Sequence, residues 1–187
     1  RVRVDLAWAL ADRCEPSAEQ PLAALAADPT ENANLRQEAL QTLGRVASPG
    51  RIPFLARFLE EQGDPLELRL AAAKALGQMA DPAAREALRR AANRGPEVDL
   101  VRATAAISLG CHGQAEDQAA LLALSGASDQ PLIVRLGAAE ALITLGNPPS
   151  NLTDLIRQGL DHPRPRMRAE AACLAGAAGI PELSEDL

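Results

Sequence analysis

Tyrosine is absent from this 187-residue sequence, and Trp8, Phe54 and Phe58 are its only aromatic residues. A core this poor in rings cannot fill space with large side chains, so its backbones must come close together. Alanine meets that need and is the best helix former, since it loses no side-chain entropy on folding. Cysteine and histidine are nearly as scarce. Cys14, Cys111 and Cys173 share no meaningful spacing, which reads as reduced thiols in the cytoplasm rather than a disulfide framework. An excess of basic charge is missing too: 19 lysines and arginines face 25 acidic residues, a formal charge of -6. That balance favours solubility and offers nothing to a phosphate backbone. Apolar runs such as Ala103–Leu109 are too short and too mixed to span a bilayer. The sequence has no signal peptide and starts on Arg1 rather than methionine, so it reads as a segment of a longer protein or as a processed chain.

What is present instead is a period. Arginine stands at positions 3, 36, 69, 102, 135 and 168, and every step is 33 residues. Small or apolar pairs follow each one, among them Ala39-Leu40, Ala72-Ala73, Ala105-Ala106 and Ala138-Ala139. Further on come Leu10, Leu43, Leu76, Leu109 and Leu142, with Ala175 in the last repeat, and then Pro16, Pro49, Pro82, Pro148 and Pro181. A period of this length held through the chain predicts a stacked-repeat protein, in which each repeat leans on its neighbours and residues 1–187 form one domain.

The second repeat shows what is being repeated. Leu35, Ala39, Leu40 and Leu43 recur at three- and four-residue steps and so share one helix face. Val46-Ala47-Ser48-Pro49-Gly50 then makes a break that a helix does not cross. Ile52, Leu55, Phe58 and Leu59 mark a second helix, and Gly63-Asp64-Pro65 ends it. Neither helix is long enough to be stable alone in water, so hairpins must stack to bury their apolar faces. The predicted fold is an all-α solenoid of stacked antiparallel helical hairpins, with five full repeats and a partial sixth. Ala11, Gly44, Gly77, Gly110 and Gly176 share a slot where the first helix is expected to end, since glycine suits a helix C-terminus and lets the returning segment of the hairpin come near. Ile143 breaks that pattern, and the turn after it reads Gly146-Asn147-Pro148-Pro149. The helix that follows is expected to be displaced by about one residue.

The segments LRLAAAKALGQMADP, VRATAAISLG and MRAEAACLAGAAGIP resemble the HEAT-like repeats of phycobilisome lyase subunits and of many bacterial proteins. The resemblance runs through the whole chain. It implies a right-handed α-solenoid with first helices on the convex side and second helices on the concave side. For function it implies a binding scaffold whose partners differ from member to member, or an accessory subunit of a bilin lyase or related chromophore-handling complex. Bilin handling calls for aromatic or charged groups around a tetrapyrrole, and tyrosine is missing here. Some HEAT-like proteins act on DNA bases, but the acidic balance and the lack of stacking aromatics oppose nucleic-acid work.

Arg36, Arg69, Arg102, Arg135 and Arg168 are the first candidates for chemistry. A row of guanidinium groups suits an acidic partner or phosphate, yet each arginine keeps the offset of the buried leucines, as a structural residue does. Asp28, Asp64, Asp99, Asp129 and Asp161 mark the turns between repeats. An arginine near a helix N-terminus opposes the dipole unless something compensates. An aspartate or a free carbonyl of the preceding turn would do so by a charge-assisted hydrogen bond. The series therefore reads as a structural ladder between repeats. Cys111-His112 offers a thiol and an imidazole, but sequence neighbours rarely aim at one metal ion, and a turn is the better reading. His162 lies in the two-proline turn Asp161-His162-Pro163-Arg164-Pro165. No nucleophile elbow, phosphate loop or HExxH motif occurs, and neither an enzyme nor a metal or cofactor is implied.

Function is then sought in what does not repeat. Trp8 occupies a slot filled elsewhere by Gln41, Lys74, Ile107, Glu140 and Cys173. It either packs on a missing neighbouring repeat or is a contact site. On the second helices, Arg57, Glu60, Glu61, Glu86, Arg89, Arg90, Asn93 and Arg157 stand opposite the apolar positions, whereas the first and fourth repeats show Ala24, Ala27, Ala123 and Ser125. The result is a mixed patch, basic in its middle, that is either a solvated helix face or the seat of a partner. The reading is a non-enzymatic scaffold that binds another protein through the concave surface of its second and third repeats. Nucleic acid and membrane are not expected partners, and further repeats of the parent chain are possible neighbours.

Overall fold

The computed structural model describes residues 16–46, 48–61, 63–94 and 98–180. Arg3, Trp8 and Cys14 lie outside them. Every regular element among the described residues is helical. The chain divides into two compact units, Arg1–Glu97 and Val98–Leu187. The first holds α1 (Glu19–Ala27), α2 (Ala33–Val46), α3 (Ile52–Glu60), α4 (Leu66–Gln78) and α5 (Pro82–Asn93). The second holds α6 (Asp99–Gly110), α7 (Gln118–Gly126), α8 (Leu132–Thr144), α9 (Leu152–Leu160) and α10 (Pro165–Ala178).

The arginine period sets the helix boundaries. First helices begin at Ala33, Leu66, Asp99, Leu132 and Pro165, so each starts 33 residues after the one before. The second helices α1, α3 and α7 keep that register, but α9 starts at Leu152, one residue late. The displacement arises at the end of α8. There the N–H of Asn147 donates to the Leu142 carbonyl and the N–H of Gly146 to that of Ile143, both at 2.9 Å. This is a Schellman closure, and it requires the left-handed backbone that Gly146 adopts at φ 71°. Helix α5 departs in the other direction and starts early. The Asp81 carboxylate accepts the N–H of Ala83 at 2.8 Å, and Pro82 needs no N–H partner in the first turn.

Within the first unit α1 packs on α2 and α3 on α4, and the stack grows by laying α2 on α4 and α3 on α5. The second unit repeats the scheme, with α7 on α8, α9 on α10, and α8 against both α6 and α10. Leu40, Leu43, Leu55, Phe58, Leu68 and Leu76 are fully buried in the first core, and Leu121, Leu142 and Leu155 in the second. Each such burial contributes about 1.5–3 kcal/mol.

Gly110 ends α6, as expected of its slot, but repeated glycines also serve the packing of one first helix on the next. Helix α2 runs on to Val46, past Gly44, so that glycine does not end it. A Cβ on Gly44 would lie 2.6 Å from the Cα of Ala75 in α4, and one on Gly110 would lie 2.7 Å from the Cα of Ala141 in α8. The slot is thus a point of backbone contact between successive first helices. In the last pair Ile143 and Leu174 take the places of glycine and alanine, and both belong to one hydrophobic cluster. Side chains there supply the contact that backbone supplies in the earlier repeats.

Candidate protein-docking groove

Helices α3 and α5 leave a groove of about 560 Å³ between them. Ala56, Leu59, Ala87 and Ala91 are buried and form its floor, and the exposed Glu60, Arg90, Asn93 and Arg94 stand at its edges. Three of the four floor positions are alanine, so the helix surfaces are low where the two elements meet. The structure therefore brings Glu60, Arg90 and Asn93, which the sequence places on the second helices, around one concavity.

Arg57, Arg89 and Arg90, the basic residues that the sequence places on this face, have acidic partners within it. Arg90 reaches from α5 to Glu60 on α3 at 3.6 Å. Arg57 lies 3.6 Å from Glu61 one turn on, and Arg89 donates to Glu86 at 2.7 Å. The Asn93 amide donates to the carbonyl of Arg89 at 2.9 Å. Three arginines thus face three glutamates. The Arg57 guanidinium also sits 5.5 Å from the Phe54 ring centroid and 5.4 Å from that of Phe58, whose rings meet edge to face. Such contacts contribute about 0.5–1 kcal/mol at exposed sites and hold the cation against α3. Arg157 belongs to the second unit, where it faces Asp154 at 3.8 Å. Ala24, Ala27 and Ala123 are exposed, but Ser125 is buried, with its hydroxyl donating to the Leu122 carbonyl. Trp8 lies outside the described residues.

The repeated arginines point back to the helix before them. Arg36 Nε donates to the carbonyl of Ala26 at 2.9 Å, Arg69 Nη2 to that of Leu59 at 3.0 Å, and Arg135 Nε to that of Ser125 at 3.2 Å. Each acceptor is the penultimate residue of a second helix, where backbone carbonyls lack intrahelical partners and the dipole is negative. Arg102 donates to the side chain of Gln130 and lies 3.9 Å from Asp99. Arg168 is exposed and donates to the carbonyls of His162 and Pro163, both at 3.1 Å. Of the turn aspartates, Asp28 accepts from Thr30 and Asp129 from Gln130. Backbone carbonyls are thus acceptors for Arg36, Arg69, Arg135 and Arg168, and Arg135 also donates to the Gln158 side chain at 3.3 Å.

A second set of bonds crosses between repeats at the opposite helix end. Glu19, at the start of α1, accepts the Ser48 N–H and the Arg51 Nε, the latter at 3.2 Å. Burial alone would raise its pKa, but the hydrogen bonds from Ser48 and Arg51, with the Arg51 charge, hold it below the ordinary range. The same two slots recur in the second unit, where Asn147 donates to Gln118 at 3.3 Å. Glu140 on α8 is perturbed upward, chiefly by burial and then by the nearby Glu170 of α10.

Cys111, His112 and His162 lie in turns, and Cys173 lies within α10. Cys111 and Cys173 are free and exposed. The His112 N–H donates to the Leu109 carbonyl at 3.2 Å. His162 Nδ1 accepts the Arg164 N–H, also at 3.2 Å. Among the described residues no cluster of three His, Cys, Asp or Glu could hold a metal ion. None of their helices is long and apolar enough to cross a membrane. The groove floor escaped the sequence reading because Ala87 and Ala91 look like every other helical alanine of the chain.

A family model described as HEAT repeats matches residues 1–66 and 59–143. No functionally curated protein matches the sequence. Among solved structures, the complex of CpcE and CpcF of phycocyanin lyase from Nostoc sp. PCC7120 is similar at 23% identity with a TM-score of 0.61, covering 98% of this chain and 73% of that one. Human deoxyhypusine hydroxylase in complex with glycerol aligns at 17% identity with a TM-score of 0.45, covering 95% of this chain and 79% of that one.

Proposed function

Because the chain belongs to the HEAT-repeat family, we propose that it is a non-enzymatic scaffold that holds another protein on its second-helix face, between α3 and α5. The observation that carries this reading is the alanine-floored groove with Glu60, Arg90 and Asn93 at its edges. A face meant only for solvent needs no concavity, whereas partners dock by filling one with side chains. In this reading Arg36, Arg69, Arg102, Arg135 and Arg168 keep the repeats in register and touch no partner. Trp8 is a second candidate contact, further repeats of the parent chain are candidate neighbours, and the working compartment is the cytoplasm, where the thiols stay reduced.

The triple reversal Arg57→Glu, Arg89→Glu, Arg90→Glu tests the assignment. Arg57 and Arg90 are exposed and Arg89 is partly so, and ion pairs join them to glutamates of α3, α5 and the α3 C-cap, so the fold should survive, as circular dichroism would verify. Proteins captured on the wild-type chain should be lost from the variant. If every captured protein binds both alike, this face is not the docking surface.

The likeness in fold to the phycocyanin lyase complex favours a second reading, an accessory subunit of a bilin lyase or related chromophore-handling complex. The lack of tyrosine speaks against it. An absorbance change on mixing the protein with a bilin would support it, and an unchanged spectrum would remove it.

A further inference from the structure

We infer that the groove between α3 and α5 seats an amphipathic helix whose apolar stripe is bordered by basic residues on one flank and acidic residues on the other. The inference rests on the scaffold reading and adds the chemistry of the partner. Its two edges differ in sign. The edge given by α3 carries Glu60, and the edge given by α5 carries Arg90, with Arg94 at the extended cap just past the end of that helix. A partner that fills the groove must meet both edges at once. A uniformly basic or uniformly acidic segment satisfies one edge and is repelled by the other.

The walls also select the form of the occupant. Both are helices, whose interior backbone groups are paired internally, and the last-turn carbonyls of Leu59 and Ala91 accept from Arg69 Nη2 and from the Arg94 N–H, so the floor of Ala56, Leu59, Ala87 and Ala91 offers little to an extended chain. A strand laid there would bury unpaired backbone groups. A helix satisfies its own backbone and projects only side chains, and the alanines leave room for large apolar ones. The Glu60–Arg90 pair crosses the groove at 3.6 Å, but its side chains are 53% and 61% exposed. Exposed pairs contribute little, so the bridge exchanges readily for two pairs with the partner, one at each edge.

The probes are three labelled synthetic helices of about 18 residues, long enough to hold helical form, with the same leucine stripe. One has lysines on one flank and glutamates on the other, one has lysines on both, and one has glutamates on both. Binding to the full chain is measured by fluorescence anisotropy at low salt. The mixed peptide should bind about tenfold more tightly than either uniform one, because only it forms pairs at both edges. Arg90→Glu with Arg94→Glu leaves both edges acidic and should move the preference to the lysine peptide. Glu60→Arg should move it to the glutamate peptide. No binding of the mixed peptide, a wild-type preference for a uniform one, or a ranking that ignores these substitutions would overturn the inference. If the mixed peptide fails while the triple reversal still abolishes partner capture, this inference falls and the scaffold reading stands.

Discussion

Gly44 lies so close to Ala75 that a Cβ built on the glycine would stand 2.6 Å from the Ala75 Cα and 2.7 Å from its carbonyl oxygen. Neither atom belongs to a flexible side chain, so the clash cannot be relieved by a rotamer change. Gly44→Ala should therefore force α2 and α4 apart and cost about 1–3 kcal/mol, the usual range for overpacking. Gly176 occupies the same repeat slot in α10, and a Cβ there meets nothing within 4 Å. Gly176→Ala should be neutral or stabilise by up to about 1 kcal/mol through helix propensity. Urea unfolding of the two variants checks both signs, and equal effects would refute the contact.

The arginine slot yields a similar pair of expectations. Arg36 is only 9% exposed, and its Nε bonds to the Ala26 carbonyl. Arg36→Met keeps much of the side-chain volume and removes the donor. An unsatisfied buried acceptor should then cost about 1–3 kcal/mol. Arg168 is exposed where Arg36 is buried, and Arg168→Met should stay within about 0.5 kcal/mol of wild type. Thermal or urea midpoints that fall equally for both would contradict a role set by burial.

These pairs show what could and could not be read from the sequence. The period located every first helix among the described residues, because Leu43, Leu76, Leu109 and Leu142 recur with the arginines and a core position cannot drift. The break at Ile143 also announced the late start of α9, which follows the turn at Gly146. What the sequence did not disclose were relations between repeats. Gly44 looks the same whether it ends a helix, as Gly110 does, or admits the backbone of Ala75 from within one. Arg36 could bond to an aspartate or a carbonyl of the turn, and only the geometry chooses. The groove was least legible of all. Its edges were visible as charged residues, but its depth comes from Ala56, Ala87 and Ala91, which carry no distinguishing mark. The pairing of Arg57, Arg89 and Arg90 with glutamates depends on helix phase and on the α3–α5 approach.

Glu140 predicts an unusual response to acid. Burial, with the Glu170 charge adding to it, raises its pKa above the ordinary glutamate value. A carboxyl whose pKa is raised on folding binds its proton more tightly in the folded state, so it weakens the fold once ionised. Glu140→Gln should be more stable than wild type at pH 7. The difference should shrink as the pH falls through the raised pKa of Glu140 and vanish below the ordinary value of about 4.3. Urea unfolding across that interval checks it, and a variant less stable than wild type at pH 7 would reverse the sign.

Glu19 should behave in the opposite sense. Although burial works against its charge, the Ser48 and Arg51 hydrogen bonds hold its pKa below the ordinary value. A carboxyl whose pKa is lowered on folding stabilises the fold fully above the unfolded pKa, and loses that contribution as the pH falls through the folded one. Glu19→Gln keeps an acceptor for the Ser48 N–H but gives up the charge facing Arg51, as Gln118 does against Asn147 in the second unit. The variant should therefore fold, and it should be less stable than wild type at neutral pH. The gap should begin to close below about pH 4.3 and be gone below the depressed pKa of Glu19. General acid denaturation lowers both proteins together, so the quantity to follow is the difference between their urea midpoints at each pH. A gap that stays constant into acid would mean that Glu19 holds the turn of the next repeat by shape alone. A gap that closes only in acid would identify its ionised carboxylate as the strap between α1 and the α2–α3 turn.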